Sequence, residues 1–346
     1  MSTAGLGGTG WLAICLEPVM GTYVAPGASG SGAVWVPILS ESLAYKDEKY
    51  YSEQIRGDLI ESAVVPSYYH VEGDIKMEAD AQFLPYFLYA SRHDITKTGA
   101  SGVSGSTDYV FEPSLAASAS STGSGANSRT ASITVVRNGL AFGYAGCTMG
   151  SIEATLDNGI LQFTFGVFGL SEQGLGATGT PAWVASALMG ATQHQVQVGV
   201  AGDPPTSLTA STAFNGFTAN INYNAAAQNR VSGLRSATYV SYGKLEATYQ
   251  TELDFLDRAG YDAYVAGTEQ SVRFESRNNR GASGTDTWAA ATTGVQLDFN
   301  RSVYDSYEVG LGSMSDLIMA NTTGRALGVA GGNPIRITVR STASIT

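Results

Sequence analysis

The stretch HVEGDIKMEAD, residues 70–80, decides how this chain is read. Glu72, Asp74, Lys76, Glu78 and Asp80 share one parity; Val71, Ile75, Met77 and Ala79 share the other. Side chains along a β-strand alternate between two faces, so the stretch predicts a strand with one apolar face and one face of mostly acidic charge. Just before it, SAVVPSYYH (62–70) extends the strand-like pattern, and GAVWVPILSESLAYKDEKYYSEQIRG (32–57) alternates in the same way around Pro37. Just after it the period changes. Phe83, Leu84, Phe87 and Leu88 in AQFLPYFLYAS (81–91) fall on one helical face, and Pro85 fits only near a first turn.

Further along, residues 96–131 are rich in Gly, Ser, Ala and Thr around a DYVFEP island. So long a structureless loop is unusual in a compact domain, which suggests an excursion ordered by a neighbour. Strand-like runs return at SITVV (132–136), GSIEATLD (150–157) and GILQFTFGVFG (159–169), with Asp157–Gly159 as a hairpin turn signal. Residues 173–190 read as a linker. The pattern then restarts: ATYVSYGKLEATYQ (237–250) can be laid on residues 67–80, and a helix-like ELDFLDRAGYDAY (252–264) follows. GSMSDLIM (312–319) matches GSIEATLD, and IRITVRS (335–341) matches LQFTFGV (161–167). This predicts a tandem duplication: an arm and first strand over 1–40, one unit over 41–172, the linker, and a second unit over 191–346. In the second copy Lys244, Glu246, Glu252 and Asp254 again share one parity with polar neighbours.

Composition narrows the function. In 346 residues the formal charge is −11 and only 14% of residues are charged, with 42 Gly and 18 Tyr, as many all-β proteins read. Such a chain does not hold nucleic acid through Lys and Arg displacing phosphate counterions. Cys15 and Cys147 have no CxxC partner, so neither a metal knuckle nor a disulfide framework is indicated, and a reducing cytoplasm suits them. The start of the chain lacks a signal-peptide pattern, and no apolar run approaches the roughly 18 residues of a membrane helix. GLGGTG (5–10) matches a dinucleotide fingerprint in letters only, since no strand precedes it. His70, His93 and His194 form no ligand spacing, no GxSxG elbow accompanies them, and His93 reads as the last turn of the helix. The acidic row lacks the Ca²⁺-loop pattern and spreads its charge at about 6.5–7 Å intervals along a strand. No cofactor, metal or catalytic residue is therefore expected. A solvated outer face is the plain competing account of the acidic row.

Several stretches together resemble the tail tube (major tail) proteins of long-tailed bacteriophages. They are GTGWLAICLEPVMGTYVAPGASGSGAVWVPILSESLAYKDEKYYSEQIRG, with its E…GTY…P, W.P and SE.IRG; then VEGDIKMEAD before a helix; and GSIEATLDNGILQFTFGVFG. The resemblance covers most of the chain and rests on β-pattern motifs without catalytic residues. It implies a mainly β tail-tube sandwich or barrel with flanking helices. It also implies copies that join into rings of six-fold or pseudo-six-fold symmetry, stacked as the hollow conduit for genome ejection. With two tube units per chain, three chains make a ring; with one, six do. The implied partners are further copies of the chain, tail tip or baseplate and tail terminator proteins, a tape measure protein and transiting double-stranded DNA. The implied location is the virion tail, assembled in the cytoplasm of the infected bacterium. On this reading Glu72, Asp74, Lys76, Glu78, Asp80, Lys244, Glu246, Glu252 and Asp254 line the lumen, where an acidic wall keeps the polyanion moving. Trp11, Tyr109, Phe111, Arg336 and Arg340, from the N-terminal segment, the 96–131 excursion and the C-terminal segment, are candidates for contacts between rings. The rival readings are a capsid decoration protein or adhesin, a β-barrel porin, and an enzyme on a β-scaffold.

Overall fold

The structure, a computed structural model, describes residues 10–27, 32–52, 63–99, 105–113, 129–173, 180–184, 188–211, 213–231, 233–280, 287–310, 317–329 and 332–343. Strand Val64–Glu78 carries the 70–80 pattern as far as Glu78. Val71, Ile75 and Met77 are buried, while Glu72 and Asp74 are exposed. Asp80 is a correction to the row. The strand has ended, Asp80 is only 3% exposed, and its Oδ1 accepts from the Gln82 amide at 2.8 Å. Its carbonyl accepts from the Phe83 and Leu84 amides, so it shapes the turn into helix Leu84–Tyr89 rather than extending the acidic face. That helix has Pro85 in its first turn and buries Leu84, Phe87 and Leu88.

Val64–Glu78 belongs to a sheet that runs through both halves of the chain. Antiparallel ladders join, in order, Ala44–Tyr51, Val64–Glu78, Ile160–Gly169, the second half of Leu140–Asp157, Phe214–Asn222, Glu246–Asp254, Met319–Ala326 and the second half of Gly294–Gly310. The hairpin turn between Leu140–Asp157 and Ile160–Gly169 is the expected Asn-Gly type, with positive φ at Asn158 (49°) and Gly159 (75°).

Two leaves pack on the buried face of this shared sheet. The first is ordered Val34–Val36, Trp11–Leu16, Ala131–Arg137, the first half of Leu140–Asp157 and Ser171–Gln173. The second is ordered Thr206–Ser211, His194–Val200, Gln270–Arg277, the first half of Gly294–Gly310 and Ile335–Ser341. The two long strands thus pass from leaf to shared sheet. One apolar cluster spans the layers, including Leu12, Ile133, Phe163 and Phe165 in the first half and Phe217, Phe274, Leu297 and Phe299 in the second. Phe217 and Phe274 stack at 4.8 Å, sheet against leaf.

The first strand within residues 1–40 is Trp11–Leu16, whose Leu12, Ala13, Ile14 and Cys15 are fully buried. Other expectations need correction. Residues 96–131 are not one loop. His93–Gly99 and Thr107–Pro113 pair as a hairpin that extends the second leaf beside Ile335–Ser341. Residues 100–104 and 114–128 lie outside the described residues, as does GLGGTG except Gly10. The Glu252-Leu253-Asp254 part of the second predicted helix is strand, and the helix itself is Ala259–Ala266. By ladder position the counterpart of Leu140–Asp157 is Gly294–Gly310, and that of Ile160–Gly169 is Met319–Ala326. The sequence matches of 312–319 and 335–341 were therefore misplaced. They followed residue type, whereas hydrogen-bond partners set the correspondence.

Candidate functional site

The outward face of the shared sheet is an extended surface that both halves build together. Residues directly opposite in antiparallel strands point to the same side, so the ladders trace rows across it. One row reads Lys76, Thr164, Glu153, Asn220, Thr248, Arg325. A second reads Glu78, Gln162, Thr155, Thr218, Gln250, Thr323, Ser306. A third reads Asp74, Gly166, Ser151, Asn222, Glu246. At the far edge Gly216, Glu252, Asn321 and Glu308 share a row. The rows between them face the core: Ile75, Phe165, Ile152, Ile221 and Ala247 are all buried. From Val64–Glu78 to Glu246–Asp254 these three rows carry no large apolar side chain; beyond Arg325 the first ends on Val303. The carboxylates of the face, Glu72, Asp74, Glu78, Glu153, Glu246, Glu252 and Glu308, outnumber its cations, Lys46, Lys76 and Arg325.

Strand spacing of about 4.8 Å and same-face spacing of about 6.5–7 Å distribute these charges instead of focusing them. Such a surface repels polyanions over a wide area and offers a cation no tight cage. Among the described residues no group of three or more His, Cys, Asp or Glu is placed to hold a metal ion. No helix of the described residues is long and apolar enough to cross a membrane.

The structure brings Glu72, Asp74, Lys76, Glu78, Glu246 and Glu252 onto this one face. Lys244 precedes the strand, exposed, with its Nζ 3.8 Å from Glu246. Asp254 closes the strand and accepts from Asn215 Nδ2 at 2.7 Å. Sequence reasoning missed Glu153, Asn220 and Glu308. The alternation of SIEATLD and of TANIN carried the signal, but only the ladders show that these strands are neighbours.

The residues proposed for contacts between rings stand differently. Tyr109 and Phe111 are 1% and 0% exposed in the chain's own core. Arg340 is 2% exposed and grips Asp108 through Nε and Nη2 at 2.6 Å each. These three are corrected to internal roles, because the 93–113 hairpin folds onto its own C-terminal strand. Arg336 is paired within the chain to Glu112 and Asp203. Trp11 sits edge-on to Trp35 at 4.8 Å, half-buried at the rim of the first leaf.

A second polar cluster lies where the halves meet. His93 starts a strand rather than ending a helix, and it is 3% exposed. Its ring nitrogens meet the Ser91 hydroxyl and, at 2.7 Å, the Tyr223 hydroxyl. Thr148 Oγ1 donates to the Ala90 carbonyl at 2.7 Å and bonds Tyr242. Burial first, then Arg129, lowers the His93 pKa to about 3, so the ring is neutral. Enclosed and neutral, with both nitrogens committed, it ties the halves together and is not set up as an exposed base.

A search of curated proteins found no match. A family model described as phage tail tube protein matches residues 9–334, nearly the whole chain. The chain, mainly β in architecture, belongs to the phage tail tube protein family, a structural component of the virion tail that assembles with copies of itself.

Proposed function

We propose that three copies of this chain close into one ring, that rings stack into the tail tube, and that the acidic face lines the channel through which DNA leaves the capsid. The observation that carries this reading is the continuous eight-strand sheet with one polar, acidic face across both halves. The leaves repeat the same strand order, which supports two tube units per chain. Three chains then supply the same number of inner strands as six single units. At about 4.8 Å spacing and about 40° tilt, such a barrel has a backbone diameter of roughly 45–50 Å, wide enough for a duplex. Closing the ring also removes both free sheet edges, which an isolated copy leaves open to indiscriminate pairing.

The acidic face acts on DNA by refusing it. Lys or Arg there would displace counterions and hold the phosphates; carboxylates keep the polyanion off the wall, with water and cations between. The reading includes no catalytic step. It extends to a tape measure protein in the lumen, to tail tip and terminator proteins at the tube's ends, and to assembly in the cytoplasm of the infected bacterium.

The test is electron microscopy of the concentrated protein, with two-dimensional classes of end views. Hollow tubes of uniform width with three copies per ring are expected. Charge reversal at Glu72, Glu153 and Glu246 to Lys should leave tubes intact but make them retain added double-stranded DNA at low salt, released as salt rises. Reversed tubes that ignore DNA as the native ones do would place this face elsewhere than the lumen.

A further inference from the structure

The junction between the two halves of one chain also describes the junction between chains. The leaves correspond strand by strand: Val34–Val36 to Thr206–Ser211, Trp11–Leu16 to His194–Val200, and Ala131–Arg137 to Gln270–Arg277. In the shared sheet Lys76–Thr164–Glu153 and Glu252–Asn321–Glu308 are equivalent rows, each two residues short of the end of the strand that leads to a helix. Two residues on, Glu153 and Ser151 therefore correspond to Glu308 and Ser306, the same residue types in the same order.

Inside the chain, Glu153 and Ser151 pair with Asn220 and Asn222 of the second half, which lie opposite Thr248 and Glu246. The matching positions of the first half, opposite Glu72 and His70, are Ala44 and Lys46. Among the described residues the outer edge of Ala44–Tyr51 has no ladder, and neither does the outer edge of residues 302–310.

The turn beside this internal ladder docks as well. The 156–159 turn packs on Ala191 of the second half and forms one wall of an open groove whose other walls include Phe214, Phe217 and Phe274. There the Gly159 carbonyl accepts from His194 Nε2 at 3.0 Å. The first half has the corresponding groove, between the start of Trp11–Leu16, the end of Ala131–Arg137 and residues 36–41. Among the described residues nothing fills it, and Trp183 and Leu39 at its rim are 55% and 49% exposed. Val309, Leu317 and Ile318, beside the ends of strands Gly294–Gly310 and Met319–Ala326, are 39%, 73% and 41% exposed.

We infer that the 302–310 edge of one copy pairs antiparallel with Ala44–Tyr51 of the next. In this register Ser306 lies opposite Lys46 and Glu308 opposite Ala44, and Val309, Leu317 and Ile318 pack against the neighbour's Trp11/Trp183 groove. This rests on the ring reading and gives it a residue-level register. The contact joins two different patches, so it repeats head to tail and closes only as a ring.

Lys46→Cys with Ser306→Cys tests it by mild oxidation of assembled tubes. Opposite residues in an antiparallel pair have Cα atoms about 4.5–5.5 Å apart, within disulfide range. Cys15 and Cys147 are buried and do not compete. A non-reducing gel should show a ladder ending at three subunits. Tyr45→Cys with Ser306→Cys, which puts the thiols on opposite faces, should give about tenfold less. Should the cysteines hinder assembly, Ile318→Glu and Trp183→Ala supply a second readout: each should raise the concentration needed for tubes about tenfold while leaving the monomer's melting curve unchanged. Tubes that form normally with these variants, or that cross-link equally through Tyr45, overturn the register but not the ring. A native chain that forms neither rings nor tubes overturns the ring itself, and a ladder running past three subunits refutes only the three-chain count.

Discussion

Glu17 holds the first leaf together by accepting from Thr130 Oγ1 (2.6 Å), Ser132 Oγ (2.7 Å) and the amides of Gly21 and Gly146 (2.8 Å each). Tyr23 then lies over Gly143, where a Cβ would meet its ring at 2.7 Å, and bonds Thr134 at 2.7 Å. The E…GTY spacing is thus a folding device, and its letters were visible while its partners, more than a hundred residues away, were not. Glu17→Ala strands two hydroxyls and two amides and should cost about 3–5 kcal/mol, read as a lowered urea midpoint. His93 makes a pH prediction. Its folded pKa, about 3, lies below its ordinary value of 6.5, so the unfolded chain binds the extra proton. Its contribution is complete above about pH 6.5 and is lost as pH falls towards 3, at up to about 1.4 kcal/mol per unit. Urea titrations at pH 6.5 and 5 should show that loss in the native chain and a shallower one in His93→Gln. Equal slopes would mean that the ring is not held neutral.

At the scale of elements, the parity of Val64–Glu78 and the Asn-Gly hairpin could be read directly, because a strand's alternation and a turn's φ > 0 are local properties. Element ends were not. Nothing local says that Asp80 turns inward, or that Glu252-Leu253-Asp254 stays extended before helix Ala259–Ala266. Gly73 marks a place where the elements crowd. A Cβ there would lie 2.5 Å from the Ser42 carbonyl oxygen, where the chain jogs between Ser40–Glu41 and Ala44–Tyr51 along the same partner strand. Gly73→Ala must displace backbone, and a loss of about 1–3 kcal/mol in thermal or urea unfolding is expected. Glu153→Gln, on the open face of the same sheet, should change stability by less than about 0.5 kcal/mol.

For the whole molecule, the proposed ring assigns two roles to one sheet: its acidic face to keeping DNA off the wall and its rims to recruiting the next copy. Tubes built from Glu72→Lys, Glu153→Lys and Glu246→Lys chains separate the two proposed roles, assembly at the edges and DNA passage along the face. Tube formation should persist at native protein concentration while DNA retention appears. The sequence by itself determined the β class, the acidic parity of 72–78, its weaker echo at 246–252 and the family likeness, since each is written in short-range alternation or composition. Only the tertiary structure decided that Glu153 stands between those two rows and that the 93–113 hairpin completes the opposite half's leaf. It alone made Tyr109, Phe111 and Arg340 interior residues. The physical reason is that a strand's period fixes which side chains share a face, whereas which strands share a sheet depends on hydrogen-bond partners dozens to hundreds of residues apart.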